Sequence, residues 1–139
     1  PAIVDRLFAH DVDGIAVSNT TLTRPGLADE PLAQEAGGLS GRPLFARSTA
    51  MLARVHRLTQ GRLPLIGIGG IDSPEAALAK IEAGATLIQL YTGLVYEGPG
   101  LIDRIKERLV TAVEQANMSS ITELIGTKAE DWARRPLDA

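Results

Sequence analysis

The chain of 139 residues contains no cysteine. That excludes disulfides, thiolate metal sites and thiol nucleophiles, and it suits a reducing compartment. No apolar run approaches the roughly 20 residues that a membrane-spanning helix needs, and no signal peptide is expected ahead of the first helical pattern. Positive charge is scarce as well: 14 Lys and Arg against 17 Asp and Glu give a formal net charge of −3. With no basic stripe interleaved with aromatics, nucleic acid is not expected as a partner. A Ser-His-Asp set and a metal-spaced cluster are both missing, so no metal site is expected. What is present is a 45% hydrophobic composition, ordinary for a soluble globular protein and long enough as one domain to bury a real core.

The patterns run helix, strand, loop, helix, strand, helix, strand, helix, tail. Residues 2–10 carry Ile3, Leu7 and Phe8 at helical spacing, and residues 14–18 are a short apolar strand. Residues 19–44, rich in Gly, Pro, Thr and Asp, predict a long loop of the kind that is usually functional or disordered. A helix is expected from Arg47 to Gln60, with Met51, Leu52, Val55 and Leu58 on one face and Gly61 closing it. A strand at 63–68, a helix at 74–83 and a strand at 86–91 follow. The helix at 74–83 is the best marked, with Ser73 as N-cap, Pro74 in the first position, Glu75 at the positive end and Gly84 after the last turn. A helix over 99–116 places Leu101, Ile102, Ile105, Leu109 and Val113 on its buried face. The tail holds two short helical turns, near 121–125 and 128–134, and its Trp132 is expected to pack on the body.

Near-continuously apolar strands that alternate with helices imply a parallel sheet buried on both faces. Three strands close poorly, whereas eight close into a barrel of about 250 residues. The expected fold class is therefore α/β, the C-terminal portion of a (β/α)₈ barrel with a short helical tail. The chain begins at Pro1 and not Met, which points to a piece of a longer chain or a processed one.

Chemistry concentrates at the strand ends. Gly67-Ile68-Gly69-Gly70-Ile71 closes one strand and runs straight into the capped helix. Paired glycines let backbone N–H groups approach a ligand, and with the helix dipole they favour an anion such as phosphate. The same pair also reads as a plain strand-to-helix turn. Some twenty residues on, Leu90-Tyr91-Thr92-Gly93 ends the next strand in two hydroxyls and a glycine. Two successive strand ends of this kind are how a (β/α)₈ barrel holds phosphate after its last two strands. A valine at position 70 is expected to block such a site.

Ser18-Asn19-Thr20-Thr21 ends the first strand and offers hydrogen bonds to a planar polar ligand, or an Asx-type turn. Gly37-Gly38-Leu39-Ser40-Gly41-Arg42-Pro43-Leu44 offers close backbone approach, or a hinge. His10 and His56 fall on helices as surface residues, and Asp72, Glu97 and Asp103 read as caps and first-turn charges. Tyr91 and Tyr96 are the candidates for proton transfer, with packing in a loop the other reading of Tyr96. Binding elements without a reactive group fit chemistry that belongs to a cofactor, or to a part of the protein outside this sequence.

Taken in order and at their spacing, these four strand-end and loop segments resemble the dihydroorotate dehydrogenase family, flavin enzymes of pyrimidine synthesis. The resemblance covers nearly the whole chain. The Ser-Gly-Arg-Pro-Leu version at 40–44 and the Ile-Thr-Glu-Leu-Ile-Gly element at 121–126 resemble its membrane-associated, quinone-using class 2. It implies that residues 1–139 are the C-terminal part of one FMN-binding barrel domain. Ser18 would contact the flavin, and Asn19 and Thr20 would hydrogen-bond the pyrimidine of dihydroorotate or orotate. Ser40 and Gly41 would line the flavin site, while Gly69, Gly70, Tyr91 and Thr92 would hold the FMN phosphate. The family's serine base, its flavin-contacting lysine, its quinone tunnel and its membrane-binding helices would precede Pro1. The chain alone would then be soluble and inactive, and the full-length enzyme peripheral on the cytoplasmic side of the cell membrane. The alternatives are a non-catalytic half-barrel that self-associates through exposed edges and binds a phosphorylated ligand, and another flavin or phosphate-binding barrel enzyme of a different substrate class.

Overall fold

The structure, a computed structural model, describes residues 2–24 and 30–137. Pro1 and residues 25–29 of the expected loop lie outside the described residues. Helix α1 (Ala2–Ala9) leads into β1 (Ile15–Val17), and β2 (Leu65–Ile68) and β3 (Leu87–Gln89) complete a parallel sheet in the order β1-β2-β3. Ile15, Ala16 and Val17 stand opposite Leu65, Ile66 and Gly67, and Ile66, Gly67 and Ile68 stand opposite Leu87, Ile88 and Gln89.

Side chains alternate across a strand, so Val17, Leu65, Gly67 and Ile88 share one face. Helices α3 (Phe45–Thr59) and α4 (Pro74–Glu82) cover it, and Leu52, Ala53, Leu78 and Ile81 join it in the main core. A side chain at Gly67 would put its Cβ 3.0 Å from Ala85 Cβ and 3.2 Å from Leu52 Cδ2. The missing side chain thus sets how closely the helices approach the sheet. The other face carries Ala16, Ile66 and Leu87, and Leu87 is 60% exposed. Burial on both faces was expected and does not hold. In a complete barrel this face is the interior, filled by layers of side chains from all eight strands, and three strands leave it open.

The helix at 74–83 forms as expected: Ser73 Oγ accepts from the Ala76 N–H at 3.1 Å, and Pro74 opens α4. Trp132, in α7 (Ala129–Ala133), is buried with its ring edge-on to Phe45 at 5.7 Å. Helix α6 (Gly100–Gln115) buries Leu101 and Ile105 against α4 but leaves Ile102 outside, as α3 leaves Leu58 and α1 leaves Ile3. Those three flank the buried stripe without belonging to it.

Two helices were not expected. One is α2 (Glu30–Ala33) within the long loop, and the other is α5 (Thr92–Glu97) directly after β3. A 3₁₀ turn (Arg42–Leu44) brings the start of α3 forward to Phe45. The loop also folds back on itself: the Leu39 N–H donates to Thr21 O at 2.7 Å, and the Thr21 N–H donates to Leu39 O at 3.1 Å. Among the described residues no helix is long and apolar enough to cross a membrane.

Candidate functional site

The C-terminal ends of the three strands open on one side, and residues 37–44 cross over them. Between them lies a cleft of about 220 Å³. Ser18, Asn19 and Thr20 enter it from β1, Ser40 and Gly41 from the crossing segment, Gly69 and Gly70 from β2, and Tyr91 and Thr92 from β3. Every binding residue expected from the sequence is therefore brought to one place, while Tyr96, the other proton-transfer candidate, lies outside this lining. Gln89, Gly93 and the apolar Leu44, Ile68 and Leu90, none singled out as site residues, line it as well.

The turn after β2 can only be glycine. Gly69 and Gly70 have φ of 98° and 73°, values in the left-handed region that side chains disfavour. A Cβ on Gly70 would stand 2.5 Å from Phe45 Cα, and one on Gly69 would stand 3.1 Å from Ser48 Oγ. The expected effect of a valine at 70 is revised accordingly. Its side chain would strike the start of α3 before it reached any ligand.

The turn after β3 packs straight onto this one. Gly93 passes so close that a Cβ there would lie 2.1 Å from Ile71 O. Thr92 opens α5, and the first N–H groups of a helix have no partner within it. Ser40 Oγ and Thr92 Oγ1 lie 2.9 Å apart, joining the crossing segment to β3, and Arg42 pairs with Asp72 to fix the same segment over the end of β2. At β1, Asn19 Oδ1 accepts from the Thr20 N–H at 2.8 Å. Asn19 thus spends its carbonyl on the turn and has its amide N–H₂ to offer a ligand.

Among the described residues, no carboxylate and no cation lines the cleft. One end presents hydroxyls and glycine backbone, with no negative charge to repel an anion, and Leu44, Ile68 and Leu90 supply apolar surface. That donor set fits a phosphorylated cofactor with a flat ring system, as FMN is. Of the carboxylates read as caps and first-turn charges, Asp103 stands in the first turn of α6 and pairs with Lys106 at 2.7 Å, while Asp72 pairs with Arg42 and Glu97, the last residue of α5, pairs with Arg104 at 3.0 Å. Tyr91 stands exposed at the cleft, and Tyr96 is an exposed residue of α5, not a packed loop residue. His10 lies just past the end of α1. His56, half-buried in α3, packs against Gly84 and Gly126, and burial holds its imidazole below the ordinary value. Among the described residues no cluster could hold a metal ion.

Sequence reasoning passed over two residues behind the cleft. Lys80 is fully buried, and its Nζ donates to Ser48 Oγ at 2.6 Å and to Ile68 O at 3.5 Å. Burial lowers its amine to about 7. The signal was present, since helical spacing puts Lys80 on the face of Ala76, Ala77 and Ile81.

Residues 1–113 match the family model for dihydroorotate dehydrogenase. The dihydroorotate dehydrogenase (quinone) of Brucella ovis is 55% identical over 129 residues, which is 93% of this chain and 35% of the relative. That of Brucella melitensis is 54% identical over the same shares. Among solved structures, the ligand-free dihydroorotate dehydrogenase of Eimeria tenella superposes with a TM-score of 0.82 at 35% identity, covering 96% of this chain and 36% of that one. The Eimeria tenella enzyme in complex with ferulenol gives 0.83 at 37% identity, covering 91% and 34%. The chain thus spans about a third of the length of the relatives it matches. The open three-stranded sheet is part of their barrel, and the chain belongs to the dihydroorotate dehydrogenase family.

Proposed function

We propose that this chain supplies the FMN phosphate site and one edge of the substrate site of a quinone-dependent dihydroorotate dehydrogenase. One observation carries the reading: a single cleft gathers the polar ends of all three strands, with neutral donors and apolar side chains and, among the described residues, no acid. Backbone N–H groups of Gly69 and Gly70, with Tyr91 and Thr92, would hold the phosphate. Ser18, Ser40 and Gly41 would border the flavin, and Asn19 and Thr20 would hydrogen-bond the pyrimidine. When bound, FMN would supply the acceptor for the hydride from C6 of dihydroorotate and the route for electrons to the quinone.

The chain's own part is to bind and orient. Holding cofactor and pyrimidine in one cleft fixes the distance over which hydride must pass, a contribution of position and not of acid–base chemistry. The proton at C5 needs a base, and among the described residues the cleft lining offers no His or carboxylate to activate a hydroxyl. That base, the quinone site and the peripheral contact with the cytoplasmic side of the membrane are assigned to the rest of the barrel enzyme.

FMN titrated into the chain is expected to bind saturably, read by flavin fluorescence. Dihydroorotate with a dye acceptor is expected to give no turnover above a flavin blank. Failure to bind FMN overturns the cleft assignment, and turnover by the chain alone overturns the placing of the base elsewhere. The open inner face favours a second reading, a non-catalytic half-barrel that pairs with its own copy. For that reading, saturable FMN binding would accompany self-association, and no turnover would appear once the remaining barrel strands were supplied.

A further inference from the structure

An ammonium buried without an ion-pair partner is expensive. Lys80 is 0% exposed, and among the described residues no carboxylate pairs with it. Simple core filling would be served better by methionine or leucine, so the contacts of Nζ are what distinguish a lysine here. They are the Ser48 hydroxyl at 2.6 Å, the Ile68 carbonyl at 3.5 Å and the ring of Phe45 at 5.4 Å. Ser48 is itself buried, and its Oγ lies 3.0 Å from Gly69 O and 3.1 Å from Phe45 O. Because Oγ accepts from Lys80, its single proton is left to donate to one of those two carbonyls.

We propose that Lys80 and Ser48 are positioning residues for the anion-binding turn, holding the Ile68 and Gly69 carbonyls back so that the Gly69 and Gly70 N–H groups face the cleft. The inference rests on the phosphate reading given above. Both peptides of this turn are trans, and in a trans peptide the C=O and N–H point opposite ways. A carbonyl drawn towards Lys80 or Ser48 therefore turns the next amide away from them. Gly69 and Gly70 are the residues that line the cleft on that side. Where the amine is protonated, the lysine also sets a positive charge behind the turn, in surroundings where water screens it little. Neither side chain would touch the ligand.

The test compares FMN with riboflavin, which lacks the phosphate, on the wild-type chain and on Lys80→Met and Ser48→Ala. Far-UV circular dichroism and urea unfolding monitor the fold. Lys80→Met is expected to weaken FMN binding by about tenfold, the scale for removing a group that orients a site's direct contacts, and to leave riboflavin binding unchanged. Ser48→Ala, which deletes only one hydroxyl, is expected to act in the same direction and serves should Lys80→Met not fold. Equal losses for both ligands, or an unchanged ratio of the two affinities, overturn the proposal and leave the phosphate reading standing. A wild-type chain that prefers FMN no more than riboflavin overturns the phosphate reading and the proposal with it.

Discussion

An amine moved from water into a packed interior loses hydration that a hydroxyl and a carbonyl replace only in part. Burial accordingly pushes the Lys80 amine down to about 7 in the folded chain, from its ordinary 10.5. Between those values the unfolded chain holds a proton that the folded chain has released, so stability rises with pH through this window. From about pH 7 to about pH 9 the gain is expected to be on the order of 2 kcal/mol, read as a shift in urea midpoint. Lys80→Met is expected to flatten that rise and to stabilise the chain near neutral pH, even while it harms the anion site. A slope that persists in Lys80→Met would assign it to another group. Gly70 gives a second test at this scale, with Gly98 as its control. The two share nearly the same φ, 73° and 74°, yet a Cβ at 98 meets nothing within 4 Å while one at 70 stands 2.5 Å from Phe45 Cα. Gly98 also has ψ of 174°, in a region that only glycine occupies readily, so Gly98→Ala is expected to cost backbone strain alone, about 1–3 kcal/mol. Gly70→Ala adds overpacking of about 1–3 kcal/mol to its own backbone strain, and an unfolding midpoint no lower than that of Gly98→Ala would contradict the contact.

At the scale of the element, α4 owes its start to one hydroxyl. Ser73→Ala removes the acceptor of the Ala76 N–H and is expected to cost about 1 kcal/mol, measured by urea unfolding. No loss would mean that another group caps the helix. This helix was legible in the sequence because Ser73, Pro74 and Gly84 state its ends locally. Helix α5 was not: no side chain caps it, and its position depends on Gly93 passing close to Ile71 O, a contact between successive strand ends. The crossing segment was legible as glycine-rich but not as a cover for the cleft, because Arg42 with Asp72 and Ser40 with Thr92 join residues far apart in sequence. The strand-end polar residues could be picked out because a hydroxyl or glycine that breaks an apolar run is a local event. Lys80 escaped because a charge on a helix is normally a solvated one, and only its spacing from Ala76, Ala77 and Ile81 argued otherwise.

At the scale of the molecule, the sheet decides the behaviour. In the order β1-β2-β3, β1 and β3 each keep an outer edge without a strand among the described residues, and unpaired edges are templates for pairing with another chain. The face that would line a barrel is apolar at Ile66 and Leu87 and uncovered at Leu87. Edge and face together favour the same partner, a surface of parallel strands with apolar side chains turned inward. A second copy of the chain offers this imperfectly, and the remaining strands of a barrel offer it fully. Sedimentation velocity is therefore expected to show association that grows with concentration, and Leu87→Asp is expected to weaken it. Because Leu87 is largely exposed, that substitution should leave the unfolding midpoint of the single chain nearly unchanged, which separates loss of pairing from loss of fold. A polypeptide that carries the other barrel strands should suppress the self-association, since it competes for the same edges and covers the same face. A chain that remained monomeric at every concentration would show that the open face and edges are too weak to hold a partner without further contacts.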